Sequence, residues 1–170
     1  DLERHKEQVR LKRNENITFF KRLKKTNPQK LDALIHPLHE EVFERTDCLK
    51  CANCCKTTSP IFSGKVIKRI SKYLRLSPQG LEESYLKRDS DGICAKEITM
   101  RFLVDDNYCS IYSVRPKACQ EFPHTNRRRQ YQILELTRAN TEVCPAAFEI
   151  VDKLKKKLNL NKPDKSGNKY

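Results

Sequence analysis

The run Cys48-Leu49-Lys50-Cys51-Ala52-Asn53-Cys54-Cys55 places four thiols in eight residues, and no other stretch restricts this chain as much. Two-residue gaps let one loop curl so that Cys48, Cys51 and Cys54 converge on one centre. Adjacent side chains diverge along a backbone, so Cys55 is expected to face a second centre. Soft thiolates gathered this densely suit zinc or an iron–sulfur cluster far better than magnesium or calcium. Cys94, Cys109, Cys119 and Cys144 complete a set of eight. Eight thiols are enough for two four-thiolate sites.

A secreted disulfide scaffold also carries an even number of cysteines. Against it, 170 residues is long for a disulfide-dense domain, and the cysteines cluster in two-residue steps. A vicinal Cys54-Cys55 pair is awkward in a disulfide framework as well. Bound metal is therefore the expectation. With 37% hydrophobic and 34% charged residues and no Trp, the core is modest, and metal sites would replace missing burial. No run of 18 apolar residues exists, so no membrane-spanning helix is expected. No signal peptide is visible, although residues can be missing before Asp1; a cytoplasmic protein is expected.

The net charge of +13 is unevenly placed. Residues 1–30 hold ten Lys or Arg against four acids, and residues 152–170 hold seven against two. The middle, 31–151, holds eighteen against sixteen. The basic ends could contact RNA, a ribonucleoprotein, DNA or an anionic membrane surface, or simply form solvated helix faces.

Along the chain, residues 2–25 read as a basic helix whose apolar stripe (Leu2, Val9, Ile17, Phe20, Leu23) is too thin for a core helix. Asn27-Pro28 opens a second helix carrying Leu31, Leu34, Ile35, Leu38 and Val42, which Pro37 should kink or split. Ser63 caps a helix with Val66, Ile67, Ile70 and Leu74, and Ser77-Pro78 opens another through Leu81, Tyr85 and Leu86. Asp91-Gly92 is a turn that delivers Cys94. Residues 98–104 and 108–112 read as a β-hairpin around Asp105-Asp106-Asn107, with Cys109 on its second strand. Arg115-Pro116 starts a helical turn that places Cys119. Thr125-Asn126 begins either a helix or a strand. Cys144-Pro145 opens a last helix with Phe148, Val151, Leu154 and Leu158 as its seam, and Pro163–Tyr170 is a polar tail expected to be disordered. The expected fold is mainly α with a small β-hairpin. It divides into a basic helical extension (1–27), a metal-stapled cysteine domain (28–151) and a basic C-terminal helix end and tail (152–170).

Two motifs in order, Cys48-x-x-Cys51-x-x-Cys54-Cys55 and Cys109-Ser110-Ile111-Tyr112-Ser113-Val114-Arg115-Pro116-Lys117-Ala118-Cys119-Gln120-Glu121-Phe122-Pro123, resemble the CxxCxxCC (YkgJ-type) cysteine-cluster family. The resemblance covers about residues 42–146, with Cys94 and the helical stretch 63–87 between the motifs. It implies a zinc- or iron-chelating domain, and many members carry the label iron–sulfur cluster protein. Ala52 stands where glycine is common, and Gln120 where a basic residue often follows the cysteine. Neither departure removes a ligand.

The eight cysteines can be divided in several ways. A ferredoxin-like pattern would use Cys48, Cys51, Cys54 and Cys144, with Pro145 following, for a 4Fe-4S cluster. Cys55, Cys94, Cys109 and Cys119 would then form the second site. A zinc reading makes Cys48 and Cys51 one knuckle and gives Cys54 or Cys55 to another; a shared-ligand polynuclear site is the third arrangement. The radical-type spacing C-x-x-x-C-x-x-C fails, because Thr58 occupies its third place. His36 and His39 read as surface or packing residues, and His124 as a substitute for one thiolate at most. Arg115 would bond loop carbonyls or balance thiolate charge. Arg127-Arg128-Arg129 is either a solvated turn or an anion contact. With four Gly in the chain and no Gly-rich phosphate loop, a nucleotide fold is not expected.

The functional expectation is a metal-binding cysteine-cluster protein with no assignable reaction. Two alternatives stand beside it: a metal-stabilised interaction module whose basic ends bind RNA or a ribonucleoprotein, and an iron–sulfur redox or modification enzyme. A protein partner is open as well.

Overall fold

The computed structural model describes residues 1–97 and 102–160. In chain order the helices are α1 (Leu2–Leu23), α2 (Pro28–Phe43), α3 (Cys48–Cys51), α4 (Asn53–Thr57), α5 (Gly64–Leu74) and α6 (Pro78–Tyr85). The strands β1 (Leu86–Asp89) and β2 (Gly92–Ala95) come next, then α7 (Lys117–Glu121), α8 (Leu134–Val143) and α9 (Pro145–Leu160). Short 3-10 turns occupy Asp105–Asn107, Tyr112–Val114 and Gln130–Ile133. The chain is mainly α with one small antiparallel hairpin, as the sequence implies. It separates into two compact units, one of Asp1–Thr46 with Pro123–Tyr170 and one of Asp47–Phe122.

The first unit is built by helix packing. Asn27 Oδ1 accepts from the amides of Gln29 and Lys30 and starts α2, with Pro28 at the first helical position. Leu31, Ile35, Leu38 and Val42 then recur at helical spacing and pack with Ile150, Val151 and Leu154 of α9. The helix runs on through Pro37 as one element, so the expected split does not occur. Helix α1 supplies Phe19, Phe20 and Leu23 to this core. Its aromatic end therefore makes up for the thin apolar stripe over the rest of its length. The basic face of α1 is partly neutralised inside the unit, where Lys155 pairs with Glu15 at 2.6 Å and Lys12 with Asp152 at 2.5 Å.

The second unit has shorter elements and a smaller core of Phe62, Ile67, Ile70, Leu81, Leu86, Ala95, Phe102, Cys109 and Ile111. Ser63 accepts from Val66 N to begin α5, and Ser77 accepts from Gly80 N to begin α6. The regular hairpin is β1–β2, with Leu86 opposite Ala95 and Asp89 opposite Gly92. Its turn needs Gly92, whose φ of +136° is closed to other residues. Asp89 fixes the turn by accepting from the amides of Asp91 and Gly92. The hairpin thus carries Cys94, not Cys109. Of the strand expected at 98–104, residues 98–101 lie outside the described residues. Residues 102–110 form a turn closed by one bridge, Leu103 to Cys109, because Asp106 and Asn107 adopt left-handed conformations and tighten the loop. The 163–170 tail also lies outside the described residues.

Candidate metal centre

Asp47 determines where the cysteine segment turns helical. Its carboxylate accepts from the amides of Leu49 at 3.1 Å and Lys50 at 3.2 Å. Those bonds, the Lys50 amide first, hold its pKa below the usual value. One turn later the backbone reverses hand at Ala52, with φ 45° and ψ 16°. That left-handed residue ends α3 and begins α4, so Cys48 and Cys51 lie on one short helix and Cys54 and Cys55 on the next. Left-handed backbone is where glycine is at no disadvantage. This accounts for the position at which Ala52 departs from the family pattern.

The second motif is pinned beside its own carbonyls. Arg115 stacks over the Tyr112 ring at 3.7 Å and donates to Tyr112 O at 2.6 Å. Arg69 donates to the carbonyls of Val114 and Arg115 at 3.2 and 2.9 Å. Gln120 donates to Arg115 O at 2.9 Å, so the amide at this position serves the loop, where a cation would not be needed. Cys119 follows from the short helix α7, and Cys109 from the bridge with Leu103. Asn107 ties this region to α3 by donating to Lys50 O at 3.3 Å.

Cys55 is the hub of the sulfur cluster. Its sulfur lies 4.0 Å from that of Cys54, so the expectation that the vicinal pair diverges does not hold. The Cys55 thiol is lowered to about 7, by the hydrogen bond with Cys54 first and then by the positive charges of Arg115 and Lys56. Its own charge acts on Cys48, Cys109 and Cys119. Burial, and after it Cys55 and Cys109, pushes Cys119 up to about 12. Cys48 and Cys109 are raised chiefly by burial, and Cys51 adds to the effect on Cys48. Six thiols of one unit therefore influence one another. A bound cation would offset both the burial that chiefly raises Cys48, Cys109 and Cys119 and the smaller repulsion among their neighbours.

Cys94 and Cys144 make contacts of their own. Cys94 on β2 is buried, and its thiol donates to the Asp89 carboxylate at 3.0 Å, which raises the thiol and lowers the acid. Cys144 belongs to the first unit, where it precedes α9, accepts from Ala147 N at 3.5 Å and packs at the edge of the apolar core. The histidines are also accounted for in the first unit. His36 donates to Arg127 O at 3.0 Å, and His39 hydrogen-bonds with Thr125 Oγ1 at 2.8 Å while stacking on Phe43. His124 gives its carbonyl to Gln130. Asp89 was not singled out in the sequence, and the turn signal Asp-Ser-Asp-Gly before Cys94 is the trace that could have marked it.

Among the described residues, no three His, Cys, Asp or Glu side chains are already closed around a point that would hold an ion. The donor chemistry nevertheless fits one. A zinc ion with Zn–S bonds of about 2.3 Å holds its thiolates about 3.8 Å apart in a tetrahedron, close to the Cys54–Cys55 separation of 4.0 Å.

No helix among the described residues is long and apolar enough to cross a membrane. No curated protein and no solved structure matches the chain. A family profile does, over residues 47–145, which take in the whole cysteine-rich unit and reach Cys144. The chain belongs to that family, CxxCxxCC, described as a "putative zinc- or iron-chelating domain".

Proposed function

We propose that the Asp47–Phe122 unit is a structural zinc-binding module, with Cys54 and Cys55 as neighbouring ligands and Cys109 and Cys119 completing the set. The 4.0 Å sulfur separation of the vicinal pair carries this reading. Thiolates on separate irons of a cluster are held further apart than two on one zinc. Bound zinc would supply a redox-inert, positively charged cross-link between segments distant in sequence. The chain's own contribution is geometric. Asp47 and Ala52 shape the first loop, while Arg69 and Gln120 fix the carbonyls beside Cys119. Arg115 places a positive charge near Cys55, Cys109 and Cys119. Four thiolates close a zinc shell and leave no position for a reacting water, so the module is one of folding and binding.

The spacing of Cys48, Cys51 and Cys54 favours a second reading, an iron–sulfur cluster. Elemental analysis and visible absorption of anaerobically purified protein separate the two. Colourless protein with about one zinc per chain, lost in Cys55→Ser, is the expected result. Brown protein containing iron and acid-labile sulfide would replace zinc with a cluster. Metal-free protein whose melting is indifferent to added zinc would remove both.

A further inference from the structure

The loop 124–130 of the first unit is held far more firmly than a solvated turn requires. Asp32 of α2 accepts from the amides of Arg129 at 2.7 Å and Gln130 at 2.9 Å. Gln130, with 0% exposure, donates to the carbonyls of His124 at 2.6 Å and Arg127 at 2.9 Å. His36 adds a third donor to the loop through Arg127 O. Thr125, also 0% exposed, bonds His39, and Asn140 donates to Pro123 O at 3.0 Å. His124 and Arg129 both sit at positive φ, 65° and 61°. A buried polar network this complete fixes a backbone against its own strain.

What the network presents is chemically uniform. Arg127, Arg128 and Arg129 are all exposed, and among the described residues none forms an ion pair. At the basic ends the pattern is mixed. Lys6, Arg10, Lys12, Lys24, Lys153 and Lys155 each pair with a carboxylate, whereas Arg4, Arg13 and Lys21 are exposed without an ion pair among the described residues. What sets the 127–129 arginines apart is the fixed loop that presents them. Two residues after Arg129, beyond the buried Gln130, Tyr131 is 44% exposed on the Gln130–Ile133 turn. Consecutive guanidiniums match phosphates, and an exposed aromatic ring two residues further along the chain matches a stacked base.

We propose that Arg127–Arg129 and Tyr131 form a contact site for single-stranded nucleic acid, the arginines taking the backbone and the tyrosine a base. The aromatic face favours this partner over an acidic protein or an anionic membrane, which would use the charge alone. The site lies in the first unit and does not depend on which metal the second unit holds.

The test uses the full metal-loaded chain and fluorescence anisotropy with 12-nucleotide U-rich RNA and T-rich DNA, over a range of salt. The Arg127→Ala/Arg128→Ala/Arg129→Ala variant should bind about tenfold or more weakly and flatten the log–log salt slope by about 2. Tyr131→Ala should lose about five- to hundredfold while Tyr131→Phe retains binding, because stacking needs the ring and not the hydroxyl. A preference for RNA or for DNA would identify which strand the site takes. Three results would each overturn the proposal: wild-type affinity in the triple-arginine variant, no binding of either strand at 50 mM salt, or tighter binding to polyglutamate or anionic vesicles. Equal loss in an Arg4→Ala/Arg13→Ala/Lys21→Ala control would overturn it too, by spreading the effect over the whole basic surface. All the substituted arginine side chains are exposed, so circular dichroism should report an unchanged fold.

Discussion

The two units reach order by different routes. In the first, α2 and α9 run for sixteen residues each and bury leucines, isoleucines and valines at helical spacing. In the second, the cysteine-bearing helices α3, α4 and α7 have four or five residues each. Helices that short have no stability of their own in water. What they lack in apolar contact has to come from caps, loop hydrogen bonds and whatever the thiolates bind. One core folds by burial, and on the proposed reading the other adds coordination to a smaller apolar core. Metal should matter to one and be nearly irrelevant to the other.

The largest effect should come from taking the metal away. Chelation, or Cys55→Ser, is expected to collapse hydrogen-exchange protection across Cys48–Cys119, since apparent structural-zinc binding energies are about 10–16 kcal/mol. Amides of α2 and α9 should stay protected. Equal loss of protection in both units would erase the contrast.

The converse substitution probes the first unit. Leu38 is 1% exposed within the α2–α9 core. Leu38→Ala should destabilise that unit by about 2–5 kcal/mol through lost burial and the cavity left behind. Zinc content should be unchanged. A variant that lost its metal in step with its first unit would show that the second cannot fold by coordination alone.

Most of the first unit could be read in advance, because its signals are local. The Asn27-Pro28 cap and the Leu31, Leu34, Ile35, Leu38, Val42 pattern led straight to α2, and Cys144-Pro145 to α9. The second unit was legible in its caps, at Ser63 and Ser77, and in the proximity of its two motifs. The position of its hairpin was misread. Residues 86–89, Leu-Lys-Arg-Asp, have little strand propensity, and they pair only because Asp89 and Gly92 make the turn. The apolar residues Phe102, Leu103 and Val104 looked more like a strand, yet a turn with two left-handed residues leaves room for one bridge. The meeting of Cys54 and Cys55 was hidden as well, because side-chain rotamers at adjacent positions leave no periodic trace. Neither Asp32 nor Gln130 was singled out, since a buried amide bonding two loop carbonyls has no sequence pattern.

Acid should separate the units in a second way. Burial holds the imidazoles of His5 and His39 below their ordinary pKa. A histidine kept neutral by the fold stabilises fully above its unfolded value near 6.5, and that contribution is lost as pH falls through the depressed folded value. Protection of α2 and α9 amides should therefore decline as pH falls below about 6.5. His5→Gln/His39→Gln should flatten this decline. A decline of the same steepness in the double variant would assign the acid sensitivity to other groups.

The smallest effect concerns how much of the second unit's strain lies in its backbone. Ala52 and Arg75 both adopt the left-handed conformation, Ala52 buried at the joint of α3 and α4, Arg75 exposed at the end of α5. An L-residue there pays roughly 1–2 kcal/mol relative to ordinary backbone. Arg75→Gly relieves that with no packing lost and should stabilise by up to about 1 kcal/mol. Ala52→Gly relieves the same strain but surrenders a buried methyl worth about 0.8 kcal/mol, together with the entropy a glycine adds to the unfolded chain. The terms nearly cancel, so Ala52→Gly should change metal-loaded stability by less than about 1 kcal/mol. Paired denaturation curves at saturating zinc measure the difference between the two variants. A loss well beyond that at Ala52 would mean that its methyl contact, more than the hand of the backbone, holds the first two cysteines in register with the second two.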